Sequence, residues 1–180
     1  MKNLAILRGI NVGGHRKILM ADLRSLFQIL GFTDVTTYIQ SGNVIFEGIP
    51  GENPRTTAAR IESAINKKYG YDVPVIVFPG AELTAAIAAN PFVKNEHEDI
   101  SVLHLTFLSD LPSRNRVDKI NPADFLPDEF EIEGRCVFLR LGGEGKYHKT
   151  KLSNQFFEKN LEVKATTRNW KTVLKLGEMI

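Results

Sequence analysis

A chain of 180 residues that is 43% hydrophobic holds enough apolar material for one core or for two small ones. Its net charge of +2 is too small to announce a strongly basic nucleic-acid domain, no run reaches the roughly 18 apolar residues of a membrane helix, and the opening run Leu4 to Leu7 lacks the length of a signal-peptide core. The single cysteine, Cys136, excludes an internal disulfide and a multi-cysteine metal site, so the expected setting is a reducing cytoplasm with no membrane partner.

In chain order, Asn3 to Leu7 is an apolar run without alternation, the pattern of a strand buried on both faces. Met20, Leu23, Leu26, Phe27 and Leu30 then recur at helical spacing, with Gly31 placed to close the helix in a left-handed conformation. Val35 to Gln40 and Val44 to Glu47 form a hairpin around Ser41-Gly42-Asn43. Asn53-Pro54 starts a helix with Ile61, Ala64, Ile65 and Tyr69 on one face, VPVIVF (73 to 78) is a strand, and Glu82 to Ala89 is a short helix ended by Asn90-Pro91.

The second half repeats that order. A strand at 102 to 108 is followed by a helix from Arg114 to Ile120 and a hairpin turning at Gly134-Arg135. A Gly-rich loop leads to a helix holding Leu152, Phe156 and Phe157, then an edge strand at Leu161 to Ala165, and a last helix capped by Thr167 with Trp170, Val173 and Leu174 inward. The expected fold is therefore α+β, an α/β sandwich of two tandem ferredoxin-like βαββαβ units at 1 to 95 and 96 to 180, each followed by an extra helix. In each unit the first and third strands are expected to be parallel neighbours.

Two Gly-rich loops carry the chemistry. RGINVGGHRK supplies Arg8, Asn11, His15, Arg16 and Lys17 as donors around Gly13 and Gly14, at the end of a buried strand, where binding groups are held rigidly. Its spacing fits neither nucleotide-binding glycine motif, and the helix begins some residues later, so a tight turn with solvated cations is the competing reading. At the hairpin tip, Gln40, Ser41 and Asn43 offer further polar groups, although turn formation alone accounts for them. GGEGKYHKTKLSN, 142 to 154, clusters Lys146, His148, Lys149 and Lys151 around Tyr147, and Arg168 and Asn169 add to them beside Trp170.

Catalytic groupings are thin. The four histidines lie in separate segments without metal-ligand spacing, so no metal and no cofactor is expected. His104 reads as a half-buried strand residue, Cys136 as a small core residue, and Ser41 lacks the context of a nucleophile elbow. The strands also lack the basic-aromatic pattern by which an RNA-binding sheet stacks bases.

The stretch from RGINVGGHRK to YIQSGNVIF, with NPF at 90 to 92, KTKLSN at 149 to 154 and ATTRNWKTVLKL at 165 to 176, resembles the bacterial domain of unknown function family 1697 over essentially the whole chain. The resemblance implies a small cytoplasmic bacterial protein of two related α/β units, with no established reaction, substrate or cofactor. It places signature stretches at Arg8 to Gly14, Tyr38 to Asn43, Lys149 to Asn154 and Thr167 to Trp170.

The leading functional expectation is a protein that binds a phosphate-bearing ligand, a nucleotide or single-stranded nucleic acid, through the two basic loops. An enzyme using His15 or His148 on a phosphorylated or acyl substrate is an alternative. A protein-interaction or oligomerisation module is another.

Overall fold

The computed structural model describes residues 2–94, 99–142 and 145–180. The chain forms two compact units, one of Met1–Thr84 with Leu176–Ile180, the other of Ala85–Lys175. The expected boundary at 95/96 and Gly143 and Glu144 of the second basic loop fall outside the described residues.

The first unit runs β1 (Lys2–Leu7), α1 (Met20–Ile29), β2 (Thr33–Tyr38), β3 (Asn43–Glu47), α2 (Pro54–Tyr69), β4 (Val75–Pro79) and the start of α3 (Gly80–Ala88). Its sheet has the order β2-β3-β1-β4 with every neighbouring pair antiparallel. Leu7 of β1, Val44 and Phe46 of β3 and Val75 and Val77 of β4 cluster with Leu23, Leu26 and Phe27 of α1 and Ile61 and Ile65 of α2. The alternate positions Leu4, Ile6, Ile45, Ile76 and Phe78 are also buried, which explains why β1 reads as a continuous apolar run. Asn53 caps α2 by accepting from the Thr56 amide, and Gly70, at φ 69°, closes it.

The second unit runs β5 (Leu103–Leu108), α4 (Arg114–Val117), β6 (Glu129–Glu133), β7 (Cys136–Arg140), α5 (Asn154–Leu161), β8 (Ala165–Asn169) and most of α6 (Trp170–Met179). Its sheet order, β6-β7-β5-β8, repeats that of the first unit and is again antiparallel throughout. Val137, Leu139, Phe130 and Ala165 of the sheet pack with Phe157 and Leu161 of α5.

Four local expectations are corrected. The first and third strands of each unit are neighbours but antiparallel. A helix crossover leaves the first and second strands pointing the same way, and the hairpin then reverses the third. The edge strand lies at 165 to 169, not 161 to 165: Leu161 is the buried last residue of α5, and Glu162, at φ 57°, closes that helix before any strand begins. Thr167 is accordingly a strand residue, and α6 is capped by Asn169, whose Oδ1 accepts from the Thr172 amide at 2.8 Å. Finally, α4 stops at Val117. Asn121 caps the next turn and precedes Pro122, which disfavours helical backbone at residue 121.

Candidate functional site

The first basic loop is a small hairpin. Asn11 and Arg16 bond across it, Val12 and His15 form an antiparallel bridge, and the two turn residues Gly13 and Gly14 both have positive φ, 58° and 78°. That is the primed turn which two glycines favour. Buried Ile10 and Ile18 anchor its base, while His15, Arg16 and Lys17 are exposed at its tip.

Asn11 binds the loop to the β2–β3 turn. Its Nδ2 donates to the carbonyls of Ile18 at 2.9 Å and Gln40 at 3.0 Å, and its Oδ1 accepts from the Ile18 amide at 2.9 Å. The β2–β3 turn leans on the same base. Gly42 sits at φ 84° with its carbonyl accepting from the Leu7 amide, and a Cβ there would lie 2.8 Å from Leu7 Cβ. Asn43, fully buried, donates to the Tyr38 carbonyl and to Ser41 Oγ. The amides of Asn11 and Asn43 thus serve the architecture, and Asn169 serves as a helix cap.

Between the hairpin, the turn and the helices lies a cleft of about 310 Å³ lined by Asn11, Gly14, Lys17, Ile18, Leu19, Asp22, Gln40 and Tyr69. Of the residues singled out in the first unit, it gathers Asn11, Gly14, Lys17 and Gln40; Arg8, Gly13, His15, Ser41 and Asn43 are not in its lining. Two polar residues of the lining, Asp22 and Tyr69, were missed. Asp22 stands in the first turn of α1, and Tyr69 reads from its helical spacing as a core residue. Among the described residues the Lys17 ammonium, the Asp22 carboxylate and the Gln40 side-chain amide make no hydrogen bond or ion pair. The Tyr69 hydroxyl is buried without a partner. No side chain caps the start of α1.

A larger cleft of about 670 Å³ lies at the other end of β1, lined in part by Lys2, Asn3, Glu52, Thr57, Pro79 and Ile180. Most of its charge is engaged: Glu52 pairs with Arg60 at 2.8 Å and accepts from Thr57, and Lys2 donates to the Met179 carbonyl. The smaller cleft, whose Lys17, Asp22 and Gln40 side chains are unengaged, is therefore the better candidate for recognition.

In the second unit the basic loop is fastened from beneath. Asp128 accepts from the Gly142 amide and from Thr150 Oγ1, one at each end of the loop. At its middle, Tyr147 turns inward, stacks on His104 with ring centroids 5.3 Å apart and shares a hydrogen bond with Thr167 Oγ1 at 2.9 Å. Thr167 also bonds Thr106 at 2.7 Å and donates to Asn154 Oδ1 at 2.7 Å. Tyr147 is thus an anchor and not an exposed stacking surface, while Lys146, His148, Lys149 and Lys151 remain exposed. Burial lowers the His104 pKa, partly offset by the Val102 carbonyl, and burial lowers Arg168 to about 10, which leaves it charged at neutral pH. Among the described residues no three His, Cys, Asp or Glu side chains are grouped to hold a metal ion, and no helix is long and apolar enough to cross a membrane.

Comparison with known proteins gives solved structures of similar fold and one family. The conserved bacterial protein SP0830 from Streptococcus pneumoniae has a similar fold, with a TM-score of 0.70 and 23% identity over 99% of this chain and 97% of that one. A search of curated proteins gives no match. The model of a family described as protein of unknown function (DUF1697) matches residues 1–138, which include the hairpin, the β2–β3 turn and the whole lining of the small cleft, and on that match the chain belongs to this family.

Proposed function

We propose that this protein binds a small phosphate-bearing molecule in the cleft of its first unit. The observation that carries this reading is the convergence of Asn11, Gly14, Lys17 and Gln40 on one cleft of about 310 Å³, within the size range of small-molecule sites. The unpartnered Lys17 ammonium supplies the charge for an anion. The uncapped start of α1 adds backbone N–H groups and the positive end of a helix dipole. The exposed lysines Lys146, Lys149 and Lys151, with His148 among them, form a second surface for anionic groups, and nucleotides and single-stranded nucleic acid belong to the same ligand class.

Each unit is, in this reading, a ferredoxin-like fold. The matching strand orders β2-β3-β1-β4 and β6-β7-β5-β8 support it. A lone, buried cysteine is in keeping with a cytoplasmic protein.

A thermal-shift screen against inorganic phosphate, sugar phosphates, nucleotides and short oligonucleotides tests the binding. A ligand at about 100 times its dissociation constant adds about 2.7 kcal/mol, a rise of several degrees. Lys17→Ala should abolish the shift, and any binding of oligonucleotides should weaken steeply with salt. No shift across the panel, or a shift untouched by Lys17→Ala, overturns the reading.

A further inference from the structure

We infer that the ligand of the small cleft is a hydroxylated phosphomonoester, a sugar or polyol phosphate, held at its phosphate by Lys17 and Tyr69 and at a hydroxyl by Asp22. The inference rests on the phosphate-binding reading of the same cleft. It starts from the Tyr69 hydroxyl, a group withdrawn from water without a hydrogen-bond partner in the protein. A buried hydroxyl left unsatisfied costs stability, so its retention calls for a use, and the residue that carries it lines the cleft that holds the unpaired Lys17 ammonium. The ring that carries it is held in place by stacking on Tyr71, with interplanar angle 13°, and by Lys68 Nζ at 5.1 Å from its centroid. An ammonium and a preset hydroxyl are two donors suited to the oxygens of one phosphate.

Asp22 gives the second half of the recognition. A carboxylate repels a bare phosphate, yet it accepts strongly from a hydroxyl on the carbon skeleton of the same ligand. The Gln40 amide, also unengaged, can donate or accept beside it. The remaining wall is aliphatic, Ile18 and Leu19, and the Tyr69 ring is already engaged by Tyr71 and Lys68. No aromatic platform is left for a nucleobase, which favours a sugar or polyol over a nucleotide.

The test is calorimetric titration of the full chain and of Lys17→Ala, Tyr69→Phe and Asp22→Ala with inorganic phosphate, glycerol 3-phosphate, glucose 6-phosphate and adenosine monophosphate. In the parent protein at least one of the two polyol phosphates binds more tightly than inorganic phosphate and than the nucleotide. Tyr69→Phe weakens every phosphate by about tenfold or more while leaving the melting temperature equal or higher, because it removes only an unsatisfied hydroxyl. Asp22→Ala erases the preference for the polyol phosphates and tightens inorganic phosphate. If Lys17→Ala abolishes binding but Tyr69→Phe and Asp22→Ala change neither affinity nor preference, these contacts are wrong while the phosphate reading stands. Preferred binding of the nucleotide also overturns the inference. If no phosphate binds, or if Lys17→Ala binds as the parent does, both the inference and the reading beneath it fall.

Discussion

The Asn11 side chain uses its amide on both sides, donating to Ile18 and Gln40 and accepting from Ile18, from a backbone held at φ 55°. Asparagine tolerates that left-handed conformation better than other side chains with a Cβ. Asn11→Ala removes three hydrogen bonds, each worth about 1 kcal/mol, and adds about 1 kcal/mol of backbone strain, so a loss of about 2–4 kcal/mol is expected in urea denaturation. A loss below about 0.5 kcal/mol would mean that the hairpin is held by Ile10 and Ile18 alone. The same residue shows where sequence reading stops. A polar amide in a Gly-rich loop has the same appearance whether it faces a ligand or its own backbone. Asn11, Asn43 and Asn169 all read as possible donors to a ligand, with turn formation the competing account of Asn43, and all three spend side-chain atoms on turns or caps. Lys17 was legible because a lysine has no acceptor and satisfies few local bonds. Tyr69 was not, because helical spacing fixes which face of α2 it occupies and says nothing of whether its hydroxyl finds a partner.

At the scale of elements, the second basic loop is set by β5, β8 and the start of α5. Thr167 Oγ1 donates to Asn154 and takes bonds from Thr106 and Tyr147, which uses the one proton and two lone pairs of a hydroxyl. This hub is not visible in sequence because the apolar pattern puts the edge strand four residues too early and leaves Thr167 in the position of a helix cap. The period-2 signal of ATTRN is weak, and the apolar residues of α5 run directly into it. The hairpins and α2, whose turn and cap residues are unambiguous, are legible in the sequence. The stacked His104 and Tyr147 also make this unit sensitive to acid. Burial holds the folded pKa of His104 below its ordinary value of 6.5, so on acidification the unfolded chain takes up a proton first. Stability should therefore be full above pH 6.5 and fall as the pH drops from there towards the lowered folded value. Denaturation curves at pH 7 and pH 5 check this, with His104→Gln reducing the difference; a difference unchanged in that variant would assign the acid sensitivity elsewhere.

For the molecule as a whole, the chain path matters as much as the repeated topology. The first unit is discontinuous, closing only when Leu176–Ile180 joins Met1–Thr84. Leu176 is fully buried in the chain, and within that unit the Met179 carbonyl accepts from Lys2 Nζ at 3.2 Å, and Ile180 lies so close to Gly80 that a Cβ there would stand 2.5 Å from its Cγ2. Gly80, just after β4, thus leaves room for the Ile180 side chain and for the Lys2 carbonyl, 3.0 Å from where a Cβ would stand, and the final residues brace the sheet at the start of β1. Burying one leucine contributes about 1.5–3 kcal/mol and the hydrogen bond about 1 kcal/mol. Ending the chain at Lys175 should therefore lower the stability of the first unit by about 3 kcal/mol. Hydrogen exchange monitors this directly: the amides of β1 and β4 should lose protection by roughly two powers of ten. The small cleft lies at the far end of β1, built on Asn11 and the β2–β3 turn, so Lys17-dependent phosphate binding should survive in the fraction that stays folded. Unchanged protection in β1 and β4 would show that the returning segment contributes little to the sheet it touches.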